Sequence, residues 1–132
     1  MIVVDTNILA YLWLPCELTE LAEKALRKDS SWVSVPLWRS EFRNVLAVYL
    51  RKKLISYEEA LNTIMNAENQ MQNSEYSINT LQVLHKVRDS NCSAYDCEYI
   101  ALADALNCKF LTNDKKIVRS FPDIAVSLKT FV

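Results

Sequence analysis

No glycine occurs among the 132 residues of this chain, although average usage near 7% would supply about nine. Glycine takes a positive φ without steric cost and lets backbone approach a phosphate closely. Its absence removes the P-loop and the GxGxxG dinucleotide turn, and with them readable ATPase and Rossmann dehydrogenase chemistry. Turns must instead be built from Asn, Asp, Ser and Pro. Asn91 and Asn107 stand where helix C-termini would tolerate a left-handed residue.

The length fits one domain spanning residues 1–132, enough to bury a real core. Apolar residues at 51% and charged residues at 23% are too apolar a mixture for intrinsic disorder. No run approaches the roughly 20 apolar residues that span a bilayer, and Met1 leads straight into Ile2-Val3-Val4, so no membrane segment and a cytoplasmic location are expected. Cys16, Cys92, Cys97 and Cys108 form no CxxC pair and have no histidine cluster beside them; reduced core thiols are the expected reading. His85 is the only histidine, which excludes mechanisms that need two and suits a structural role. A formal charge of -1 gives no global pull on a polyanion, so a nucleic-acid substrate would depend on a local basic rim.

Short apolar runs alternate with amphipathic stretches. Ile2–Val4 reads as a buried strand ending in Asp5-Thr6-Asn7, followed by a short helix to about Leu14. Glu17–Lys28 has helical spacing, Ser31–Val35 reads as a strand, and Pro36 opens a helix reaching about Lys53. Ser56-Tyr57-Glu58-Glu59 has the form of a capping box for a helix to about Gln72, and Glu75–Ile78 is a candidate strand. A helix ending near Asn91, a Ser93-capped helix over Ala94–Leu106, a strand at Lys109–Leu111, a short helix from Lys115 and a last strand at Ala125–Leu128 complete the order. Strands separated by helices require crossovers, hence an α/β fold with a mainly parallel sheet covered on both faces. Ligands of such sheets bind beyond the carboxyl ends of the strands.

Acids collect at that rim. Asp5 follows the first strand and Asp114 lies three residues after Leu111. Asp96 shares a helix face with the apolar Tyr99, Ile100 and Ala103, whereas Glu98 is expected on the opposite side. Glu41 sits at the edge of the apolar stripe formed by Trp38 and Val45. Each has an ordinary alternative: loop or cap aspartates for Asp5 and Asp114, a capping box of Ser93 with Asp96, an arginine-paired boundary residue for Glu41. Four carboxylates brought together would repel one another and raise their own pKa values unless a cation intervened. An all-oxygen set favours Mg2+ or Mn2+, which serve phosphodiester hydrolysis without a catalytic histidine.

The segments Val3-Val4-Asp5-Thr6-Asn7, Ser40-Glu41-Phe42-Arg43-Asn44-Val45-Leu46, Tyr95-Asp96-Cys97-Glu98-Tyr99-Ile100-Ala101-Leu102-Ala103 and Phe110-Leu111-Thr112-Asn113-Asp114, with 18 residues from Asp96 to Asp114, resemble the PIN-domain family, in particular its short bacterial VapC-like toxins. The resemblance covers nearly the whole chain. It implies a three-layer α/β/α sandwich and assigns Asp5, Glu41, Asp96 and Asp114 as catalytic acids, with Asp5, Asp96 and Asp114 on the metal and Asn7 and Thr112 as supporting polar groups. It further implies RNA hydrolysis with Mg2+ or Mn2+, a homodimer, and a cognate antitoxin whose tail enters the active-site groove. Two positions depart from the pattern: Asn107 where many members have glycine, and Lys115-Lys116 where some carry another acid. The second departure points to one firm metal position and a weakly held second.

Arg39, Arg43, Arg51, Lys52, Lys53, Lys115, Lys116 and Arg119 could form the basic rim, and Lys115, Lys116 and Arg119 are assigned to phosphate contacts for their closeness to Asp114. Trp13, Trp32 and Trp38 are expected in packing rather than base stacking. Two competing functions remain at this level. One is a catalytically retired module that binds RNA or protein. The other is a receiver-like phosphoacceptor, which needs an aspartate ending a middle strand where Asp96 is instead expected in a helix.

Overall fold

The computed structural model describes every residue from Met1 to Val132. Ile2–Val4 form strand β1 and are buried throughout, as expected of a strand covered on both faces. The first helices are α1 (Thr6–Trp13) and α2 (Thr19–Lys28), followed by β2 (Trp32–Val33). The long pair α3 (Leu37–Arg51) and α4 (Tyr57–Met71) comes next, then α5 (Thr80–Arg88) and α6 (Ala94–Ala105). The chain closes with β3 (Phe110–Leu111), α7 (Lys115–Ser120), β4 (Ala125–Val126) and α8 (Leu128–Phe131).

All strand pairs are parallel, in the order β2-β1-β3-β4. Val3 is level with Val33 on one side and Phe110 on the other, and Leu111 with Val126. This common register places Asp5, Ser34, Thr112 and Ser127, the residues that follow the four strands, along one edge. On the sheet, α6 packs against β1 and β3 and carries α5, while α1 packs with α2, α3 and α4. The α/β/α layering expected from the alternation is thus the fold observed. No helix is long and apolar enough to cross a membrane.

Local chemistry explains the boundaries. Ser56 and Glu59 make the expected reciprocal capping box at α4. Glu75–Ile78 does not form a strand: it contributes one parallel bridge, Ser34 with Glu75. That bridge is clamped by Arg39, which pairs with both Glu68 and Glu75 and so ties α3, α4 and the bridge together. The last strand ends at Val126 rather than Leu128 because Ser127 turns the chain, its Oγ accepting from Thr130 N–H to cap α8.

Without glycine, three residues take the left-handed conformation: Lys53 (φ 58°), Asn73 (φ 65°) and Asn107 (φ 53°). Each follows a helix, where the reversal lets later amides reach the last carbonyls, as in Leu54 N–H to Tyr49 O and Cys108 N–H to Ala103 O. Asn107 fills the expected role. Asn91 does not, since its φ is negative and the chain leaves α5 through Ser90, whose Oγ donates to Lys86 O.

Trp32 and Trp38 are buried in the core, and Trp13 donates to Gln70 Oε1, so all three serve packing. The four cysteines are free; Cys92 and Cys97 are buried, whereas Cys16 is exposed, contrary to a core thiol. Its place in the turn before α2 accounts for that, with Thr19 Oγ1 accepting from the Cys16 N–H.

Candidate functional site

The strand edge opens into a cleft of about 450 Å³. Asp5, Glu41, Asp96 and Asp114 all line it, with Thr6, Asn7, Ser40, Asn44 and Tyr95 among the other wall residues. Residues from β1, α3, α6 and the loop after β3 therefore meet in one place.

Asp5 occupies the N-cap position of α1 with extended backbone (φ -74°, ψ 154°), yet its side chain does not cap the helix. It turns to Thr112 instead, whose Oγ1 donates to Asp5 Oδ2 at 2.7 Å. Thr112 is completely buried, and the same Oγ1 accepts from the Asp114 amide at 3.1 Å. One hydroxyl thus links two of the acids. Asp114 performs the cap that Asp5 forgoes, Oδ1 accepting from Lys116 and Ile117 N–H at the start of α7.

Glu41 is fixed from the other side. Its Oε1 accepts from Thr6 Oγ1 at 3.0 Å and from the Tyr99 hydroxyl, and the two hydroxyls lie 2.8 Å apart. Tyr99 is buried, stacked on Phe110 with ring centroids 5.5 Å apart, and burial together with Glu41 pushes its hydroxyl pKa upward, keeping it a donor. Ser93 Oγ accepts from Asp96 N–H, one half of the box anticipated at α6.

The acids sense one another. Burial raises the Asp5 carboxyl to about 6, with Glu41 and Asp96 adding to the shift and Thr112 opposing it. Asp96 is raised in the same way, by burial first and then by the charges of Asp114 and Glu41. Glu98 is not turned away as its helical angle suggested: it is half-buried, and burial and the Glu41 charge raise its carboxyl. The apolar character of α6 on almost all sides explains why a simple two-face reading misplaced it.

Residues 2–122 match the PIN domain family. The chain belongs to the PIN domain family. A relative named Ribonuclease VapC3, from Pyrobaculum aerophilum, is 27% identical over 124 residues, covering 92% of this chain and 95% of that protein. Among solved structures, PAE2754 from Pyrobaculum aerophilum superimposes with a TM-score of 0.78 at 16% identity, over 98% of this chain and 91% of that one. FitAcB from Neisseria gonorrhoeae does so with a TM-score of 0.74 at 16% identity, over 96% of each chain.

In this PIN domain the donors offered to a cation are carboxylate oxygens. Asp5 is held by Thr112, and Glu41 and Asp114 are each held through a single oxygen, leaving Glu41 Oε2 and Asp114 Oδ2 without a protein donor. Such a set fits a hard divalent ion, and mutual elevation of Asp5 and Asp96 is what an ion would relieve. No three His, Cys, Asp or Glu side chains already converge as a cage. Closure on an ion would require the unanchored oxygens to turn inward.

The basic residues separate. Lys116 donates to Asn91 O at 2.7 Å, and its charge partly offsets the rise of the Asp96 carboxyl, placing it beside the acids. Lys115 and Arg119 line a different depression with Asn113, Val118 and Ser127. Arg39 is engaged by Glu68 and Glu75. Asn7 is exposed on the cleft wall. Sequence reasoning passed over Thr6 and Tyr99 as site residues. The available signal was a tyrosine on the buried face of α6, since a buried phenol needs a polar partner.

Proposed function

We propose that this PIN domain is a metal-dependent endoribonuclease that hydrolyses RNA phosphodiester bonds, acting as the toxin of a toxin–antitoxin pair. The observation that carries the reading is the meeting of Asp5, Glu41, Asp96 and Asp114 in one cleft at the carboxyl edge of the sheet. The relative named Ribonuclease VapC3 supports RNA as the substrate class.

Asp5, Asp96 and Asp114 would hold Mg2+ or Mn2+ in one firm position, with a second ion weakly held because Lys115 and Lys116 follow Asp114. When bound, the ion supplies Lewis acidity and positive charge where negative charge develops at phosphorus. The chain's own groups do the rest. Thr112 orients Asp5 and the Asp114 backbone together. Glu41, anchored through Oε1, keeps Oε2 to accept a proton from the attacking water. Asn7 offers a hydrogen bond at the cleft wall, Lys116 places a cation beside Asp96, and Lys115 and Arg119 would meet the RNA backbone further along α7. Likeness to the VapC-like toxins supports a homodimer, a cytoplasmic location and a cognate antitoxin that occupies the cleft until released.

The test uses the chain purified under denaturing conditions and refolded, so that no bound antitoxin hides activity. Single-stranded RNA and transfer RNA are incubated with it in Mg2+ or Mn2+. Cleavage that Asp5→Asn and Asp96→Asn abolish is expected; no cleavage, or cleavage undiminished by either change, refutes the proposal. Absence of both cleavage and Mn2+ binding by calorimetry would favour the retired binding module.

A further inference from the structure

Beside the acid cleft runs a second groove, between α5 and α6, of about 360 Å³. Its walls are Ile78, Val83, Leu84 and the ring of Tyr95, with Glu98 at one point on its rim. Tyr95 belongs to both hollows: it lines the acid cleft and the groove, one residue before Asp96 in the first turn of α6. The ring is 64% exposed, unlike Tyr99 one turn later, which is buried. Leu84 is also 53% exposed, and α5 has no buried residue at all. Glu98 is half-buried and accepts no hydrogen bond or ion pair within the chain.

A flat aromatic wall, aliphatic neighbours and one unpartnered acceptor suit a flat ligand with apolar faces and donor groups on its edge. A nucleobase has that form. Uracil presents its single N–H between two carbonyl oxygens, which a carboxylate repels; adenine, cytosine and guanine each present an exocyclic amino group. Because the groove joins the acid cleft through Tyr95, a base seated there would belong to a nucleotide next to the phosphate at the acids. Such a base must be unpaired to leave its stack.

We propose that Tyr95, Ile78, Val83, Leu84 and Glu98 form a nucleobase subsite that receives an unpaired, amino-bearing base next to the scissile phosphate. This rests on the ribonuclease reading and adds to it a substrate class: single-stranded RNA with A, C or G at that position, in preference to U. A protein partner covering the apolar face of α5 is the competing occupant. The shared Tyr95 wall and the unsatisfied Glu98 acceptor favour the base.

The experiment measures binding and cleavage separately. Fluorescein-labelled single-stranded 12-mer RNAs that differ only in one central base are titrated by anisotropy against Asp5→Asn protein, with and without Tyr95→Ser, Tyr95→Phe or Glu98→Ala. Wild-type catalysis and the same three single variants are followed on the same 12-mers. Loss of a stacking partner should weaken binding by about 5- to 150-fold, so Tyr95→Ser should raise Kd and KM by at least fivefold while kcat changes less than threefold. Tyr95→Phe should restore both, and Glu98→Ala should remove the preference for A, C or G over U. If RNA is cut but Tyr95→Ser leaves Kd and KM within twofold, the subsite is refuted and the nuclease reading stands. If Tyr95→Ser changes the oligomeric state by light scattering while RNA affinity is unmoved, the groove belongs to a protein interface and the proposal is overturned. If the wild type neither binds nor cuts these RNAs, both readings fall together.

Discussion

Replacing Asp5 by asparagine should make the metal-free protein more stable at neutral pH while abolishing its activity. In the folded state the Asp5 carboxyl is raised from 3.8 to about 6, chiefly by burial, with the charges of Glu41 and Asp96 acting in the same direction. A displacement of about two units corresponds to about 3 kcal/mol of unfavourable free energy when the group is ionised. Asparagine carries no charge, so that cost disappears. Thr112 Oγ1 can still donate to the amide oxygen, and its preference for the ionised carboxylate is already contained in the displacement. The net gain at pH 7.5 is about 3 kcal/mol, or about 10 °C in Tm for a domain of this size.

The pH dependence makes the reasoning vulnerable. Between pH 3.8 and about 6 the folded wild type retains a proton on Asp5 that the unfolded chain has released. Its stability is therefore fully present near pH 4 and is lost as pH rises through 6. Asp5→Asn lacks this loss, so the two proteins should agree within about 1 kcal/mol at pH 4, diverge as pH rises from 4 to 6, and keep a nearly constant gap above that. Urea denaturation at pH 4, 5, 6 and 7.5 in EDTA measures the difference directly. Equal stability at pH 7.5, or a gap that does not change with pH, would refute the assignment of a buried, repelled carboxylate at this position. Mn2+ at 100 times its Kd should raise wild-type stability by about 2.7 kcal/mol and leave Asp5→Asn unmoved.

Other substitutions separate anchoring from chemistry. Thr112→Val removes the donor to Asp5 and the acceptor of the Asp114 amide; a loss of about 2 kcal/mol in urea denaturation and weaker Mn2+ binding by calorimetry are expected. Tyr99→Phe keeps the stack on Phe110 and deletes one bond to Glu41, so kcat for RNA cleavage should fall about tenfold with KM nearly unchanged. Lys53→Gly relieves a lysine held at φ 58° and should raise stability by about 0.5 to 1 kcal/mol, with activity unaltered.

How much of this was legible beforehand depended on the kind of signal. The apolar runs at Ile2–Val4 and Phe110–Leu111 disclosed β1 and β3 because fully buried parallel strands are continuous in hydrophobicity, and serine caps at Ser56 and Ser93 fixed the starts of α4 and α6. Glu75–Ile78 had strand-like composition, but it lies beyond β2 where only Ser34 is available to pair with it. That is a tertiary circumstance, invisible in local sequence. Asp5, Asp96 and Asp114 could be placed at the rim from strand ends and helix angle. The Thr6–Tyr99–Glu41 triangle could not, since it joins residues 35 and 93 positions apart through side-chain hydroxyls. Basic residues were least legible of all. Lys115 and Arg119 share a short helix with Lys116, yet they line a separate depression while the Lys116 charge acts on Asp96 and partly offsets its rise.

The missing glycines have a bearing on the site as well as on the turns. Without glycine-rich loops to cradle a phosphate, polar and aromatic side chains form much of the cleft wall, among them Asn7, Ser40, Asn44 and Tyr95. The acids are arranged on the same principle. Each of Asp5, Glu41 and Asp114 is located by hydrogen bonds to one of its oxygens. Asp114 can do this and cap α7 at once, because a cap uses a single oxygen; Asp5, seated at the corresponding position of α1, leaves its helix uncapped and turns to Thr112. An aspartate in cap position that does not cap costs about 1 kcal/mol relative to one that does. The carboxyl is therefore held against local helix stability and against the charges beside it, and the cation proposed for this cleft would offset both.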